Sequence, residues 1–336
     1  MKECILYKKL KNNKARCNLC YRYCNLGENQ IGFCGVRKNI KGKIYLLVYG
    51  KPSVMHLDPI EKKPLFHFHP GSFVFSIGTI GCNFNCQYCQ NWDLSREKAI
   101  ENIKNISPGK IVSLALQQNA KGISYTYNEP TIFLEYALDI AKIARKKALF
   151  NTFVSNGYMT KEVVNKMKGY IDAVTIDFKA NGNDNFAKKY ISIVSEKPIY
   201  DTLLELKKSK IFIEITDLIV PGIGDNLDDA KKLVLWIIEN LGDETPIHFL
   251  GFHPAYKMLD VPRTEFGILE KHYKLAKELG MKYVYLGNIN KPNYENTYCP
   301  KCNSILIKRD FFSITKFNLT ESKECPKCKT KINILD

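Results

Sequence analysis

The 336-residue chain lacks the features of several common protein classes. No apolar run approaches the 18 residues that a membrane-spanning helix needs, and there is no internal repeat or low-complexity tract. A composition of 45% hydrophobic and 25% charged residues excludes a disordered or fibrous protein. The N-terminal segment has one short apolar stretch with lysines on both sides, unlike a secretory signal. We therefore expect a cytoplasmic protein without membrane contact.

Several catalytic and nucleotide-binding motifs are also missing. No G-x-G-x-x-G follows the first predicted strand, and there is no P-loop, so the usual dinucleotide-binding and NTPase functions lose support. The sequence shows no obvious Ser-His-Asp or paired-carboxylate arrangement. Lys and Arg exceed Asp and Glu by 50 to 34, for a net charge of +16. The lysines are scattered rather than grouped, as on a heat-adapted surface, so nucleic acid is a disfavoured partner.

Cysteine, in contrast, is abundant. The twelve cysteines form three groups, with Cys4 left over as a buried or free thiol: Cys17, Cys20, Cys24 and Cys34; Cys82, Cys86 and Cys89; Cys299, Cys302, Cys325 and Cys328. Without an export signal these thiols should be reduced, so metal ligation is favoured over disulfide formation.

Strand-like runs of apolar, β-branched or aromatic residues alternate with helical segments through the middle of the chain. The predicted strands cover residues 73–80, 122–127, 149–155, 173–178, 211–220, 247–252 and 282–286. Continuous apolar strands that alternate with helices indicate a parallel sheet covered on its faces. We expect an α/β fold, a partial (β/α)6-type TIM-like barrel, with a doubly wound open sheet as the alternative.

Composition divides the chain into three regions. Residues 1–42 form a cysteine-rich Cys4 metal-binding module, residues 43–290 the barrel, and residues 291–336 a Cys4 zinc ribbon. Within the barrel, Ser107-Pro108 and Asp225-Asn226 are typical helix starts, and Gly242 is a typical helix end.

The odd group of three cysteines follows the first predicted strand with C-x3-C-x2-C spacing. Three thiolates in one loop can bind three irons of a [4Fe–4S] cluster and leave the fourth iron open. The alternatives are a zinc loop, with His67 or His69 as the fourth ligand, or three unrelated core cysteines. The loop lies at the carboxyl end of a strand, where barrel enzymes assemble their sites, and this favours the cluster.

This motif, with an aromatic residue before Cys89, resembles the radical S-adenosylmethionine (SAM) superfamily. The resemblance implies that the open iron chelates SAM and that the reduced cluster cleaves the sulfonium to a 5′-deoxyadenosyl radical. It also implies SAM contacts at the ends of later strands. The residues at these positions are Asn128, Glu129, Ser155, Asn156, Asp177, Lys179 and His253. Glu129 stands where the family's Gly-Gly-Glu element holds the methionine amine, but the preceding residues differ from that element.

A closer resemblance is to the radical SAM enzyme of the AmmeMemoRadiSam system, which is similar to pyruvate formate-lyase activating enzymes. It rests on segments 57–65, 81–92, 248–254 and 285–288, and on the N-terminal cysteine group that ends in Cys34-Gly35-Val36-Arg37. It implies a low-potential electron donor of ferredoxin or flavodoxin type and companion proteins of that system. Within segment 57–65, either two prolines form a stiff turn, or Asp58, Glu61 or Lys62 faces substrate at the barrel mouth.

The flanking cysteine groups predict further metal sites. Two C-P-x-C knuckles around a predicted hairpin predict a closed zinc ribbon at Cys299, Cys302, Cys325 and Cys328. The set of Cys17, Cys20, Cys24 and Cys34 is compatible with zinc or an auxiliary iron–sulfur cluster, and zinc is preferred.

The function predicted from the sequence is that of a radical SAM enzyme, acting on a protein or small molecule in the manner of a glycyl-radical activase. The alternatives are a radical SAM enzyme that modifies RNA and a non-catalytic multi-metal module that binds RNA or protein.

Overall fold

The computed structural model describes residues 1–96, 100 and 102–336. Its N-terminal part consists of two small antiparallel sheets, in the orders β1-β6-β5 and β2-β3-β4. These strands are β1 (Lys2–Glu3), β2 (Tyr7–Lys9), β3 (Ala15–Cys17), β4 (Asn25–Leu26), β5 (Arg37–Ile40) and β6 (Lys43–Leu46). Because β6 pairs with both β1 and β5, the N-terminal sheets continue past residue 42.

The central part is an eight-stranded sheet. It comprises β7 (Val54–Pro59), β8 (Phe73–Gly78), β9 (Gly122–Tyr125), β10 (Phe150–Ser155), β11 (Ala173–Lys179), β12 (Phe212–Ile219), β13 (Ile247–Gly251) and β14 (Val284–Gly287). Strands β8 to β14 are parallel and adjacent in chain order, while β7 pairs antiparallel with β8. Within the described part of the chain, β7 and β14 are the two edges, so the sheet forms a partial barrel. The seven predicted strands are thus confirmed.

Helices connect and cover these strands. They are α1 (Trp92–Arg96), α2 (Pro108–Gln117), α3 (Leu134–Arg145), α4 (Lys161–Met167), α5 (Asp184–Phe186), α6 (Lys197–Lys208), α7 (Leu227–Asn240) and α8 (Phe266–Glu278). Short 3-10 helices cover Ile60–Lys62, Pro130–Phe133, Ala180–Gly182 and Pro292–Tyr294, and a π-helix covers Ala187–Ile191. None of the described helices has the length and apolarity needed to cross a membrane.

Two predicted helix starts are confirmed by their capping contacts. Ser107 caps α2 by accepting a hydrogen bond from the amide of Lys110, and Pro108 is its first residue. The Asn226 side chain caps α7 by accepting from the amides of Asp228 and Asp229. These caps fix where each helix leaves the sheet, and so they fix the path of the loops at the strand ends.

Segment 57–65 does not lie at the barrel mouth, so of its two alternatives the one in which it faces substrate is wrong. Asp58 belongs to the edge strand β7, and its carboxylate pairs with the buried ammonium of Lys63 at 2.7 Å. Glu61 is buried against the Arg309 guanidinium of the C-terminal domain, at 3.7 Å. Since Pro59 pairs with Phe73 at the start of β8, Glu61 and Lys62 lie at the amino end of the parallel strands.

The C-terminal domain is a three-stranded sheet of β15 (Thr297–Tyr298), β16 (Ile305–Asp310) and β17 (Ser313–Phe317). The predicted hairpin is therefore present. The domain packs on the segment between β7 and β8, because Arg309 donates to the carbonyl of Phe66, and His67 contacts the carbonyl of Asn333 at 2.9 Å. The Nε2 atom of His67 is 2.7 Å from the Tyr285 hydroxyl. The C-terminal domain thus closes the amino end of the barrel.

Arg309 is the central polar contact of this interface. Its guanidinium is buried and donates to the carbonyls of Glu295 and Phe66 and to the Thr297 hydroxyl. We expect Arg309→Met to lower the free energy of unfolding by about 2–4 kcal/mol, because three buried acceptors lose their donor. Chemical denaturation would measure this, with the exposed neighbour Lys308→Met as control. Equal effects of the two substitutions would contradict the assignment.

Candidate functional site

Residues 79–91, here called the cysteine loop, leave the carboxyl end of β8 and carry Cys82, Cys86 and Cys89. The loop turns at Gly81, whose φ of 89° favours glycine. A Cβ atom there would lie 2.4 Å from the carbonyl oxygen of Cys34, so only glycine fits this close approach. Asn85 and Gln87 donate backbone hydrogen bonds to the π-helix at Ile191 and Tyr190, which fixes the second half of the loop.

The three thiols are half-buried and close enough to affect one another's ionisation. Burial raises the pKa of Cys82, and neighbouring Cys86 and Glu129 add to the shift. Burial also raises the pKa of Cys86 to about 12, while the Lys179 ammonium opposes this. The thiols of Cys82 and Cys86 are therefore protonated without a metal, and a bound metal would have to displace their protons.

His67 and His69, considered as a fourth zinc ligand, are not near this loop. Both lie in the segment at the amino end of the barrel, where His69 donates its backbone amide to Leu335. Burial lowers the pKa of His67 to about 4, so its imidazole is neutral. The zinc-loop alternative with either histidine is therefore wrong.

Asn128 connects the end of β9 to the cysteine loop. Its Nδ2 donates to the carbonyl of Gly81 at 2.9 Å and to the Thr79 hydroxyl at 3.2 Å. Its Oδ1 accepts from the Thr79 amide at 3.3 Å. These contacts occupy both ends of the amide group, so in this structure Asn128 positions the loop on which the thiols lie.

Glu129 is almost completely buried, and protein donors surround its carboxylate. Oε1 accepts from the amide and hydroxyl of Thr131 and from the Ser155 hydroxyl, at 2.5 to 3.0 Å. Oε2 accepts from the amide of Asn156 at 2.8 Å. Burial raises the pKa of Glu129, and these hydrogen bonds oppose the shift. Glu129 thus joins the ends of β9 and β10, and only Oε2 retains spare acceptor capacity for a ligand.

Asn156 joins the third strand end to the cysteine loop. Its Nδ2 donates to Oδ1 of Asn83 at 2.7 Å, and Asn83 directly follows Cys82. The Nδ2 atom of Asn83 is buried and has no hydrogen-bond partner among the described residues. A buried donor without an acceptor is costly, so a bound group with an acceptor atom would be stabilised here.

Asp177 and Lys179, at the end of β11, form an ion pair, since residues two positions apart on a strand lie on the same face. Oδ1 of Asp177 also accepts from the Thr216 hydroxyl at 2.8 Å. Burial lowers the pKa of Lys179, but Asp177 and the thiols of Cys86 and Cys89 raise it more, for a net rise. The pair therefore faces the cysteine loop with opposite charges available side by side.

The predicted residue His253 is less closely tied to this group. It follows β13 and is half-buried, and within the described residues no hydrogen bond or ion pair joins it to the others. The same segment still reaches the cysteine loop, because Lys257 donates its amide to the Gln87 carbonyl. Trp92 and Tyr256 also stack there at a centroid distance of 5.3 Å.

Two buried carboxylates that the sequence analysis missed lie beside Asp177 and Lys179. Glu196 is 1% exposed, and both of its carboxylate oxygens lack a hydrogen-bond partner among the described residues. Burial raises its pKa to about 8, and the nearby charges of Asp217 and Asp184 add to this. Burial likewise raises the pKa of Asp217 to about 7. In the sequence, Glu196 only follows an apolar run and Asp217 only lies within one, which is too weak a signal to single them out.

Hydroxyl groups line the inside of the barrel below the cysteine loop. Ser76, Ser124 and Thr152 are buried, and their hydroxyls have no hydrogen-bond partner among the described residues. Their neighbours along each strand, such as Phe75 and Phe153, pack into the helix-covered core, so the hydroxyls face inward. The interior is therefore polar and suited to a hydrogen-bonding ligand.

The sulfur spacing differs among the three cysteine groups. In the C-terminal domain, Sγ of Cys299 lies 3.4 Å from that of Cys328, and Sγ of Cys302 lies 3.6 Å from that of Cys325. All four sulfurs lie within 4.8 Å of one another, which fits one tetrahedral ion. Of the described residues, no other group of three or more possible ligands is this compact. The sulfurs of the cysteine loop are thus more widely spaced, as separate irons of one cluster require.

Comparison with known proteins identifies the family. The sequence pattern of the radical SAM superfamily matches residues 76–237, which run from β8 through the cysteine loop and into α7. The uncharacterized protein MJ0808 of Methanocaldococcus jannaschii is 44% identical over 337 residues, covering the whole of both chains. The chain belongs to the radical SAM superfamily. This family implies a [4Fe–4S] cluster and SAM, and a group of three thiols at the carboxyl end of β8 fits that cluster.

More distant proteins are similar to part of the chain. The M. jannaschii protein MJ1632, named "Putative glycyl-radical enzyme activating enzyme", is 25% identical over 211 residues, or 61% of this chain and 76% of its own. A domain of pyruvate-formate lyase-activating enzyme from Bacteroides vulgatus has a TM-score of 0.44 at 14% identity, covering 50% of this chain and all of its own. A radical SAM methyltransferase from Sphaerobacter thermophilus has a TM-score of 0.49 at 12% identity, covering 66% and 67%. Both scores lie below 0.5, so the family assignment rests on the sequence matches.

The buried carboxyl of Glu196 gives the radical SAM domain a pH-dependent stability. Because the pKa of Glu196 is higher in the folded than in the unfolded chain, its contribution to stability falls as pH rises from about 4.5 to about 8. We expect Glu196→Gln, which resembles the protonated acid, to raise the free energy of unfolding above pH 8 by about 1–3 kcal/mol relative to wild type.

At pH 5 the same substitution should have little effect, since wild-type Glu196 is then protonated. Thermal unfolding between pH 5 and 9 would measure the difference, with the exposed carboxylate variant Glu162→Gln as control. A constant difference between wild type and Glu196→Gln across this range would contradict the assignment.

Proposed function

We propose that this protein is a radical SAM enzyme in which Cys82, Cys86 and Cys89 hold a [4Fe–4S] cluster. The observation that supports it most is that three thiols lie together at the carboxyl end of β8, next to an Asp–Lys pair at the end of β11. When bound, such a cluster supplies the electron that cleaves SAM into methionine and a 5′-deoxyadenosyl radical. The three-cysteine loop provides no fourth thiol, which leaves one iron for the cofactor.

Asp177 and Lys179 are the residues proposed to bind the methionine part of SAM. An amino acid carries one ammonium and one carboxylate, so a neighbouring carboxylate and ammonium on the protein match both charges. The unpartnered Nδ2 of Asn83 adds a donor, and the free acceptor capacity on Oε2 of Glu129 adds an acceptor. Asn128, Ser155 and Asn156 are proposed to act mainly by positioning the cysteine loop and Glu129. His253 remains a proposed adenosyl contact.

The substrate is proposed to be a protein or a small molecule that brings polar groups into the barrel. The inward hydroxyls of Ser76, Ser124 and Thr152 would hydrogen-bond such groups in place of water. Hydrogen abstraction from a glycine backbone, as in an activase, is one version of this reaction, and the similarity to MJ1632 supports it. A low-potential donor of ferredoxin or flavodoxin type is the proposed electron source.

Replacement of the loop thiols should abolish SAM cleavage. We expect Cys89→Ala to lose at least about 100-fold in 5′-deoxyadenosine formation after anaerobic reconstitution and dithionite reduction, because one iron loses its ligand. Cys4→Ala, which removes a buried thiol outside the three groups, should retain the activity. Chromatographic assay of 5′-deoxyadenosine would decide. Wild-type levels from Cys89→Ala with its fold intact would contradict the proposal.

Removal of the Lys179 ammonium should weaken SAM binding without removing the cluster. We expect Lys179→Met to raise the Kd for SAM by about 10- to 100-fold, since a charge-assisted contact of about 1.5–3 kcal/mol is lost. Equilibrium dialysis with labelled SAM would measure Kd, and the iron content would be measured in parallel. The exposed Lys188→Met is the matched control. An unchanged Kd would exclude Lys179 from the SAM site.

A further inference from the structure

The four N-terminal cysteines line one cavity. Cys17 ends β3, Cys20 and Cys24 lie in the turn before β4, and Cys34 precedes β5. All four line the cavity, together with Arg22 and Arg37. Arg37 is already paired with the buried carboxylate of Glu135, so Arg22 is the guanidinium that favours an anionic centre here, such as a metal held by four thiolates. The remaining question is which metal centre the sulfurs fit.

The spacing of the sulfurs argues against a single ion. In a tetrahedral zinc site each sulfur lies about 2.3 Å from the metal, so any two sulfurs are less than about 4.6 Å apart. The C-terminal domain shows the compact arrangement, with all sulfurs within 4.8 Å of one another, and the N-terminal sulfurs do not meet that limit.

In neither the N-terminal group nor the cysteine loop do three sulfurs all lie within 4.8 Å of one another. In a [4Fe–4S] cluster each cysteine binds a different iron, so the four sulfurs stand apart around a cubane core. We propose that Cys17, Cys20, Cys24 and Cys34 bind a second [4Fe–4S] cluster. This assignment replaces the preference for zinc that the cysteine spacing in the sequence alone supported.

The proposed second cluster lies directly beside the cysteine loop. The carbonyl oxygen of Cys34 would be 2.4 Å from a Cβ atom on Gly81, the residue before Cys82. Arg22 donates from Nε to the carbonyl of Asn83 at 2.5 Å. With standard backbone lengths, the first contact places the Cα atoms of Cys34 and Cys82 no more than about 10 Å apart.

This position points to one-electron transfer. Four cysteines ligate all four irons, so the second cluster has no open position for a substrate. In the proposed step, one electron passes from the reduced N-terminal cluster to the cluster at the cysteine loop. The N-terminal cluster is oxidised and the cluster at the cysteine loop is reduced. No covalent bond is formed or broken, and no proton is transferred. A low-potential donor protein of ferredoxin or flavodoxin type would supply the electron. This role depends on the proposed function, whereas the metal assignment does not.

Metal content tests the assignment directly. Anaerobically reconstituted wild-type protein should contain about eight iron atoms, eight sulfides and one zinc per chain. A Cys82→Ala, Cys86→Ala, Cys89→Ala variant should keep about four irons, and a Cys20→Ala, Cys34→Ala variant should also keep about four. About four irons and two zincs in wild type would overturn the proposal. The measurement on wild type does not depend on whether any variant folds. If wild type contains about four irons and only the loop variant loses them, the N-terminal assignment fails while the proposed function stands.

Electron paramagnetic resonance tests the proximity of the two clusters. When both are reduced with dithionite, their spins should interact, and the wild-type spectrum should be broadened or split. Each variant should instead give the narrow signal of one isolated cluster. A wild-type spectrum equal to the sum of the two variant spectra would overturn the electron-transfer role, while the iron counts would still decide the metal assignment.

Discussion

The candidate site depends on the parallel register of β8 to β14. Because these strands run in the same direction and pair with their neighbours in chain order, their carboxyl ends meet along one edge of the sheet. Residues far apart in the chain, such as Cys82 and His253, are thereby brought to the same end of the barrel. Side-chain bridges then fix the loops: Asn128 holds Gly81, Glu129 holds Asn156, and Asn156 holds Asn83. The cysteine loop is thus positioned by three successive strand ends.

The strands and metal sites could be predicted from the sequence because they depend on local patterns. Continuous apolar runs identified all seven parallel strands, and cysteine spacing identified the compact C-terminal site. The edge strand β7 was missed since it carries a histidine, an aspartate and a terminal proline, and one exposed face needs no apolar run. One of its side-chain partners, Tyr127, comes from another part of the chain, and no local pattern indicates such a contact.

The roles of individual site residues were harder to predict for a related reason. A strand-end position shows that Glu129 lies near the site, but it does not show that four protein donors surround its carboxylate. Glu196 and Asp217 belong to no recognisable motif, yet they lie close to the site. Burial raises the pKa of both, and three of their four carboxylate oxygens lack a hydrogen-bond partner among the described residues. Whether a carboxylate is saturated or left without partners depends on which loops pack around it, and that is a property of the assembled fold.

The two ends of the barrel therefore have different physical roles. At the amino end, the C-terminal domain is fixed by Arg309 and by the contacts of His67 with Tyr285 and Asn333, and its compact sulfurs leave no open metal position. Such an arrangement stabilises the barrel but offers no vacant ligand site for chemistry. At the carboxyl end, the thiols are half-buried and more widely spaced, and Asn83 has a donor without a partner. Of the two cysteine groups at the ends of the barrel, the one at the carboxyl end is therefore better suited to a metal that a cofactor reaches. The N-terminal cysteines lie on that side of the molecule, since Cys34 is next to Gly81.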